Sequence, residues 1–416
     1  MKTHRGLTVG AILTAAAVLL SACSTQPGGS ADGETLTIGV DSAERLQPIV
    51  DRFEKANPGV TIEVNANPDA YTDTMQTLIA AGNAPDIIRT FPGAGNPLGA
   101  AVLGEAGVVV DMSNAAWVSK LSPTQKLLFG ADGVVNSVPL GATGIGVIWN
   151  DQALSAVGAT IPTTFDELLG VCAAAKADGK VAFALFQKGG NVVQSYAQVA
   201  SLVYGPEPDF TQMQNDGTAS FADSGWVTAF EQHVELNKAG CFNEGVNGTD
   251  YTAAATLAAT GGALGIILFS DITGLVALAS TDTTFTMAPM PTSNDAADNF
   301  IAVADSTGFA VSTGSKNQAL AARFLDFLAT DDSQNLFANA LGGVPALPND
   351  AFVPTTDLEK LVAQYKSEGR TGIWPDQEWP NTMVAEALNN AVQQLFDGSI
   401  TPDEAAKQLD EAFANG

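Results

Sequence analysis

Strand-like and helix-like segments alternate in the first part of the chain, and this alternation limits the fold more than any other feature. Short apolar strands are predicted over residues 36–40, 60–64 and 87–88. Amphipathic helices are predicted between them, over residues 43–56 and 71–81, and each ends at a glycine-containing break. A β-α-β-α-β order indicates a parallel sheet covered by helices, so the predicted fold class is α/β.

The carboxyl ends of these strands carry polar side chains. Ligands of parallel sheets bind beyond the carboxyl ends of the strands. In this chain those positions are occupied by Asp41 and Ser42 after the first strand, and by Arg89 and Phe91 at the end of the third. We therefore expect these residues to lie at a binding site for a small molecule.

The length and the charge of the chain restrict its architecture and its partners. The part that follows residue 34 is too long for one hydrophobic core and predicts two domains. The net charge is −27, and removal of the basic residues in the first 22 positions leaves −29. Such a surface repels nucleic acid and anionic lipid headgroups, so nucleic acid is excluded as a partner. Solubility explains the charge, and a cationic partner is the alternative.

The N-terminus resembles a lipoprotein signal peptide. A basic start precedes an apolar stretch over residues 7–20, which is too short to span a bilayer. The stretch ends in Leu-Ser-Ala-Cys, which resembles the lipobox cleaved by bacterial lipoprotein signal peptidase. We expect residues 1–22 to be removed, Cys23 to carry the lipid, and residues 23–34 to form a flexible tether. An ordinary secretory peptide with an incidental cysteine is the alternative.

Two further cysteines, Cys172 and Cys241, follow the predicted anchor. Export permits a disulfide between them, and closing a loop of about 70 residues contributes about 4 kcal/mol in the chain-entropy model. Two separate buried thiols are the alternative, because sequence does not give the distance between the Cα atoms.

An uncharged segment over residues 252–270 is long enough to imitate a membrane span. Gly261 and Gly262 divide it into an alanine-rich part and a short apolar part. We predict a helix followed by a buried strand.

The sequence contains no recognisable catalytic or metal-binding motif. The spacings HExxH, CxxC, GxSxG and those of the EF-hand and the P-loop do not occur, so we predict no metal and no cofactor. The glycines of residues 91–100 miss the dinucleotide-binding pattern, and a mobile loop is expected there. His233 lies on a predicted helix and is expected to be a surface or packing residue. Carboxylates are numerous, so a hydrolase with two acidic residues is an alternative that no motif supports.

Several polar and aromatic side chains have the chemistry that binds sugars, because carboxylates and amides bind hydroxyl groups and an indole face covers a sugar ring. These candidates are Asp41, Arg89, Asn191, Asp271, Trp374 and Trp379. Both tryptophans are also suited to fill a core, and Asp271 is also suited to cap a helix that begins at Ile272.

Eight segments resemble, in order, the family 1 extracellular solute-binding proteins of ABC importers, the carbohydrate-type relatives of maltose-binding protein. They include FEKANPGVTIEV (53–64), TLIAAGNAPDII (77–88), GVIWNDQALSAVGATIPTTFDEL (146–168) and GFAVSTGSKNQALAARFLDFLAT (308–330). The resemblance covers essentially the whole chain after the tether. It implies a type II periplasmic-binding-protein-like fold, in which the solute lies between two lobes joined by three hinge crossings.

The resemblance also implies the boundaries of the lobes. The crossings are expected near Gly141, Ala302 and Leu347. The first lobe would comprise residues 35–141 and 302–345, and the second lobe residues 142–301 and 346–416.

Ligand contacts follow from the same resemblance. Relatives often carry a stacking tryptophan after the strand that matches GALGIILFSD, where this chain has Phe269, Ser270 and Asp271. Trp374 or Trp379 would then supply the aromatic surface.

The implied function is that of a monomeric, extracytoplasmic receptor, anchored to the membrane by its lipid alone. It would capture a mono- or oligosaccharide by hinge closure and deliver it to the transmembrane permease subunits, without acting as an enzyme. The alternatives are a polyol, a polyamine or a glycerophosphodiester as the solute, an exported carbohydrate-active hydrolase, and an adhesion or scaffold module.

Overall fold

The computed structural model describes residues 34–67, 70–188 and 190–415. The predicted signal peptide and Cys23 lie outside these residues. The strands are β1 (Glu34–Val40), β2 (Val60–Ala66), β3 (Ile87–Thr90), β4 (Gly130–Ala131), β5 (Val134–Val135), β6 (Ser137–Asn150), β7 (Val181–Ala184), β8 (Ala263–Phe269), β9 (Phe285–Ala288), β10 (Ile301–Val311) and β11 (Thr371–Gly372).

The α-helices of the described chain alternate with these strands. They are α1 (Ala43–Ala56), α2 (Tyr71–Ala80), α3 (Ala100–Glu105), α4 (Pro123–Leu128), α5 (Asp151–Ala156), α6 (Phe165–Ala177), α7 (Val193–Val199), α8 (Phe210–Asn215), α9 (Gly225–Ala239), α10 (Tyr251–Ala259), α11 (Thr273–Leu278), α12 (Gln318–Leu328), α13 (Asp331–Leu341), α14 (Asp357–Ser367), α15 (Met383–Asp397) and α16 (Pro402–Ala414). No helix among the described residues is both long enough and apolar enough to cross a bilayer.

The first three strands form the parallel arrangement that the sequence predicts. β1 pairs in parallel with β2 on one side and with β3 on the other. The helix α1 has the predicted bounds because Leu46, Ile49, Val50 and Phe53 form one buried face of it. The strand β3 is longer than predicted, so Arg89 lies within the strand and Phe91 follows it.

Two long strands, β6 and β10, run through the whole molecule. The sheet has the order β2-β1-β3-β10-β6-β8-β7, and β10 is antiparallel to both β3 and β6. Gly141, where the first crossing is expected, lies in β6, a single strand of 14 residues that is buried throughout. The register between β10 and β6 shifts at Asp305, Thr307 and Gly308, opposite Gly141.

Buried apolar side chains gather in separate clusters at the two ends of this sheet, which divides the molecule into two lobes. In the first lobe, Phe53, Phe309 and Phe324 belong to a core formed by β1, β3, α1, α12 and α13. In the second lobe, Trp149 and Trp226 belong to a core formed by β6, β8, α6, α9 and α15. A smaller cluster under α10 and α14 covers the other face of β8.

The structure confirms the predicted helix–strand division of residues 252–270 and contains the disulfide that the sequence permits. Residues 252–270 form most of α10 and the strand β8, followed by Ser270. Thr164 caps α6: its side chain accepts a hydrogen bond from the backbone N–H of Glu167, whose carboxylate accepts one in return. Cys172 and Cys241 form a disulfide within the core, with Cα atoms 4.9 Å apart.

Candidate functional site

The carboxyl ends of β1 and β8 meet between the lobes and carry opposed carboxylates. Asp41 follows β1 in the first lobe, and Asp271 follows β8 in the second. Arg45, on the first turn of α1, contacts both carboxylates: its Nη1 lies 3.2 Å from Asp41 Oδ2, and its Nη2 contacts Asp271 Oδ2. Arg89 Nε lies 3.3 Å from the other oxygen of Asp41. We refer to Asp41, Arg45, Arg89 and Asp271 as the ionic cluster.

Arg89 is held in the cluster by aromatic and hydroxyl groups. Its guanidinium lies 4.4 Å from the ring centroid of Phe91 and 5.8 Å from that of Tyr71. Its Nη2 donates a hydrogen bond of 3.3 Å to Thr307 Oγ1. Burial opposes ionisation of Asp41, but the positive charges of Arg89 and Arg45 outweigh it and lower the pKa of Asp41.

Asp271 both contacts the opposite lobe and orders its own turn. While Oδ2 contacts Arg45, Oδ1 accepts a hydrogen bond of 3.1 Å from the backbone N–H of Thr273. The helix α11 begins at Thr273, one residue later than the predicted start at Ile272. Asp271 therefore stabilises the start of the helix and still presents one oxygen to the cleft.

An aromatic pair lies in the second lobe beside this carboxylate. The ring centroids of Phe269 and Trp374 are 5.1 Å apart, with planes tilted by 48°. Phe269 is 36% exposed, which is unusual for a large apolar side chain at the end of a buried strand. The pair therefore adds an apolar surface at the end of β8, two residues before Asp271.

Two further residues that were predicted to bind ligand are buried and support the fold instead. Trp379 is buried in the second-lobe core, where its ring packs against those of Tyr196, Phe221 and Trp226. Ser270 Oγ accepts a hydrogen bond from the backbone N–H of Gly144, and it is fully buried. The structure does not bring these two side chains to the ionic cluster.

Asn191 bonds to its own backbone surroundings, whereas the side chain of Ser42 makes no such bond. Asn191 orders the loop before α7, because its Oδ1 accepts from Val193 N and its Nδ2 donates to Phe186 O. Ser42 occupies the N-cap position of α1, and its side chain makes no capping hydrogen bond.

Arg45, Tyr71 and Thr307 are the members of this site that the sequence reading did not identify. Arg45 follows Asp41 by four residues at the start of a predicted helix, a spacing that places two side chains on one face. That spacing was the available signal for Arg45. Thr307 comes from β10, and its proximity to Arg89 depends on strand pairing between distant parts of the chain.

The glycine-rich loop after β3 packs directly against the second lobe. A Cβ atom on Gly93 would lie 1.8 Å from the carbonyl oxygen of Gln377, and one on Gly95 would lie 2.1 Å from that of Asp376. Neither position has room for a side chain while the lobes are in contact. The expected mobile loop is thus a packed contact between the lobes.

A cavity of about 1,060 Å³ lies among the connections between the lobes. Its lining includes Lys120 and Gln125 of the first lobe, Asp305 of β10, Val344 of the third connection, and Lys366 of the second lobe. The residues predicted to bind ligand do not line it. Gln125 Nε2 donates a hydrogen bond of 2.7 Å to Asp305 Oδ2, and burial raises the pKa of Asp305 to about 6.

Comparison with known proteins identifies the family. Residues 48–363 match the family described as bacterial extracellular solute-binding protein. The chain belongs to this family. The multiple sugar-binding protein of Streptococcus mutans is 25% identical over 205 residues, which are 48% of this chain and 48% of the relative. The matched part of this solute-binding protein thus spans about half the length of that curated relative.

Solved structures show the same fold at low sequence identity. A chitin oligosaccharide binding protein superposes with a TM-score of 0.75 at 21% identity, covering 91% of this chain and 98% of its own. A family 1 extracellular solute-binding protein from Bifidobacterium longum subsp. infantis superposes with a TM-score of 0.67 at 21% identity. The match covers 92% of this chain and 100% of that protein. A sugar transporter from Bacillus licheniformis in complex with stachyose superposes with a TM-score of 0.68 at 20% identity. The match covers 91% of this chain and 98% of that protein. The predicted two-lobe fold of this solute-binding protein is confirmed.

Groups suited to metal binding are not clustered in the described part of this solute-binding protein. His233 is buried, its Nε2 lies 3.2 Å from Ser195 Oγ, and burial lowers its pKa to about 3. A histidine in this environment stays neutral in the physiological range and packs in the core.

Proposed function

We propose that this solute-binding protein is the extracytoplasmic receptor of an ABC importer and captures a mono- or oligosaccharide between its lobes. The observation that carries the proposal is that Asp271 of the ionic cluster follows Phe269 of the aromatic pair by two residues, at the end of β8. Asp41 and Arg89 of this cluster have groups that bind sugar hydroxyls, and an apolar aromatic face covers the C–H side of the sugar ring. Similar proteins that are named for binding or transporting sugars support the same solute class.

Hinge closure is the proposed mechanism of capture. The crossings near Gly141 and Ala302 lie on β6 and β10, and the third lies near Leu347; these positions divide the chain into the lobes 35–141 with 302–345 and 142–301 with 346–416. The register shift at Asp305 and Thr307 interrupts regular pairing near the first crossing and supports bending there. A solute that contacts both lobes favours the closed form, which the permease subunits would recognise.

An uncharged solute agrees with the electrostatics of the site. Each arginine of the ionic cluster is paired with a carboxylate of the cluster, so a polyamine or a glycerophosphodiester would have to break an existing ion pair. A polyol shares the hydroxyl chemistry of a sugar and is the nearest alternative. The receptor performs no covalent chemistry in this proposal.

Lipid anchoring at Cys23 is part of the proposal and rests on the lipobox at residues 20–23. Cells that express the full chain should retain it in the membrane fraction, and detergent phase separation should partition it with the detergent. The Cys23→Ser variant should lose both properties. Equal partitioning of the two proteins would contradict the anchor while leaving the binding function untouched.

The solute is tested by a thermal-shift screen of the lipid-free chain against mono- and oligosaccharides, polyols, polyamines and glycerophosphodiesters. A ligand at 100 times its dissociation constant stabilises the folded state by about 2.7 kcal/mol. A shift with one sugar class supports the proposal and identifies that class. A shift confined to charged solutes would contradict the choice of a sugar, and measurable turnover of a glycoside would contradict the receptor itself.

A further inference from the structure

The ion pair between Arg45 and Asp271 is distinguished by its position. Among the nine ion pairs within the described residues, it is the one that joins the two lobes. Arg45 belongs to α1, whose next residue, Leu46, is fixed in the first-lobe core. Asp271 follows β8, whose Leu268 is fixed in the core of the second lobe. The pair therefore exists only while the lobes are in contact.

The surroundings of the pair strengthen it. The side chain of Asp271 is 11% exposed and that of Arg45 is 29% exposed, so solvent screens their attraction less than it screens a surface pair. Arg45 also holds Asp41, and Asp271 also accepts a hydrogen bond from Thr273 N–H. Both partners are thus oriented before the lobes meet, which reduces the entropy lost when the pair forms.

We propose that Arg45 is the closure residue of this receptor: it binds a carboxylate of each lobe and stabilises the closed form. The inference rests on the proposed hinge closure. It adds a role that differs from solute contact, because a residue that acts through closure alters the affinity for every solute by the same factor. A residue that touches the solute alters the affinities unequally.

Removal of the Arg45 guanidinium also removes the positive charge that lies between the carboxylates of the two lobes. Asp41 would keep its contact with Arg89, but Asp271 would face the first lobe without a cation. The carboxylates of the two lobes would then repel each other across the cleft. Removal of Arg45 should therefore open the lobes more than removal of an uncharged contact.

The test compares Arg45→Gln with Arg52→Gln as the matched control. Arg52 lies on the same helix, and its Nη1 lies 3.5 Å from Asp332 Oδ2 within the first lobe. Small-angle X-ray scattering of the lipid-free chain at low ionic strength gives the radius of gyration of each variant. We expect Arg45→Gln to enlarge it, Arg52→Gln to leave it unchanged, and added salt to move the parent chain towards the Arg45→Gln value.

If Arg45→Gln does not fold, Asp271→Asn replaces it in the test, because it removes the same ion pair from the side of the second lobe. The two substitutions together should open the lobes no further than either alone, because they remove one interaction. Affinities for two different sugars that bind the parent chain should fall by a common factor of roughly 3- to 30-fold in Arg45→Gln.

The outcomes separate this inference from the proposed function. If Arg45→Gln and Arg52→Gln have the same radius, or if only one of two sugars loses affinity, Arg45 is not a closure residue even though the receptor binds sugar. If Arg45→Gln opens the lobes but no sugar binds the parent chain, the closure residue stands and the sugar-receptor proposal fails.

Discussion

The rings of Phe269 and Trp374 form a tilted pair with centroids 5.1 Å apart, although more than a hundred residues separate them in the chain. Phe269 ends β8, and Trp374 precedes the loop that touches the glycine-rich segment of the first lobe. The pair thus links the edge of the cleft to the contact between the lobes.

Trp374→Ala should weaken solute binding without unfolding the protein. Removal of the indole removes stacking and apolar contact worth about 1–3 kcal/mol of binding free energy. Titration calorimetry with the sugar found in the thermal-shift screen measures the loss. Trp379→Ala is the contrasting variant: it creates a core cavity and should lower the unfolding free energy by about 3–5 kcal/mol. Unchanged affinity in Trp374→Ala would remove this residue from the site.

Gly95→Ala should favour the open form. The added Cβ would meet the carbonyl oxygen of Asp376 at 2.1 Å, so the two loops must separate before the lobes can close. We expect an affinity about tenfold weaker, within the usual cost of overpacking. Gly248→Ala is the control, because a Cβ there meets no atom within 4 Å. Calorimetry and scattering of both variants check the prediction, and identical behaviour would contradict a tight loop contact.

Asp305→Asn should stabilise the protein at neutral pH. Burial raises the pKa of Asp305 to about 6, so the folded state favours the protonated carboxyl. The stability that protonation of Asp305 gives to the folded state is fully present below the ordinary pKa of an aspartate. It is lost as the pH rises through about 6. Because the residue retains some exposed surface, we expect the variant to gain about 1–3 kcal/mol at pH 7.5.

Urea unfolding at pH 7.5 and pH 4.5 checks the sign of this effect. The gain in Asp305→Asn should shrink at the lower pH, where the native carboxyl is already protonated. The exposed carboxyl of Asp282 supplies the control variant Asp282→Asn, which should show no such gain at pH 7.5. A gain for Asp305→Asn that grows as the pH falls would contradict the raised pKa.

Removal of the disulfide should destabilise the second lobe. The double variant Cys172→Ala and Cys241→Ala opens a loop with a sequence separation of 69 residues and should lower the unfolding free energy by about 2–5 kcal/mol. Denaturant titration with and without a reducing agent measures the loss. The reducing agent should lower the stability of the parent chain and leave that of the double variant unchanged. Equal stability of the parent and double variant would contradict the bond.

Local sequence patterns identify those helices whose ends depend on interactions between residues close together in the chain. The bounds of α1 follow from its apolar spacing, and the start of α6 follows from the capping box at Thr164 and Glu167. Sequence composition did not distinguish Trp374 from Trp379, because an indole suits both a cleft and a core. Long-range packing decides between those positions, and the aromatic neighbours of Trp379 come from α7, α9 and the segment between α8 and α9.

Strand pairing between distant segments accounts for the rest of the site. Thr307 reaches Arg89 because β10 inserts between β3 and β6, although 218 residues separate the two side chains. Ser270 lies after a strand, where a ligand contact was expected, but β6 and the end of α13 cover it. Such coverage depends on register, which a local pattern does not encode.

The position of β10 in the sheet has a consequence for the order of folding. The first lobe needs Phe309, Phe324 and Phe337 to complete its core, and these residues leave the ribosome long after β1 and β3. Contacts of such large sequence separation form slowly, and they cannot form at all until most of the chain has been synthesised. The topology that builds the cleft therefore also leaves the apolar faces of β1 and β3 uncovered until β10, α12 and α13 have been synthesised.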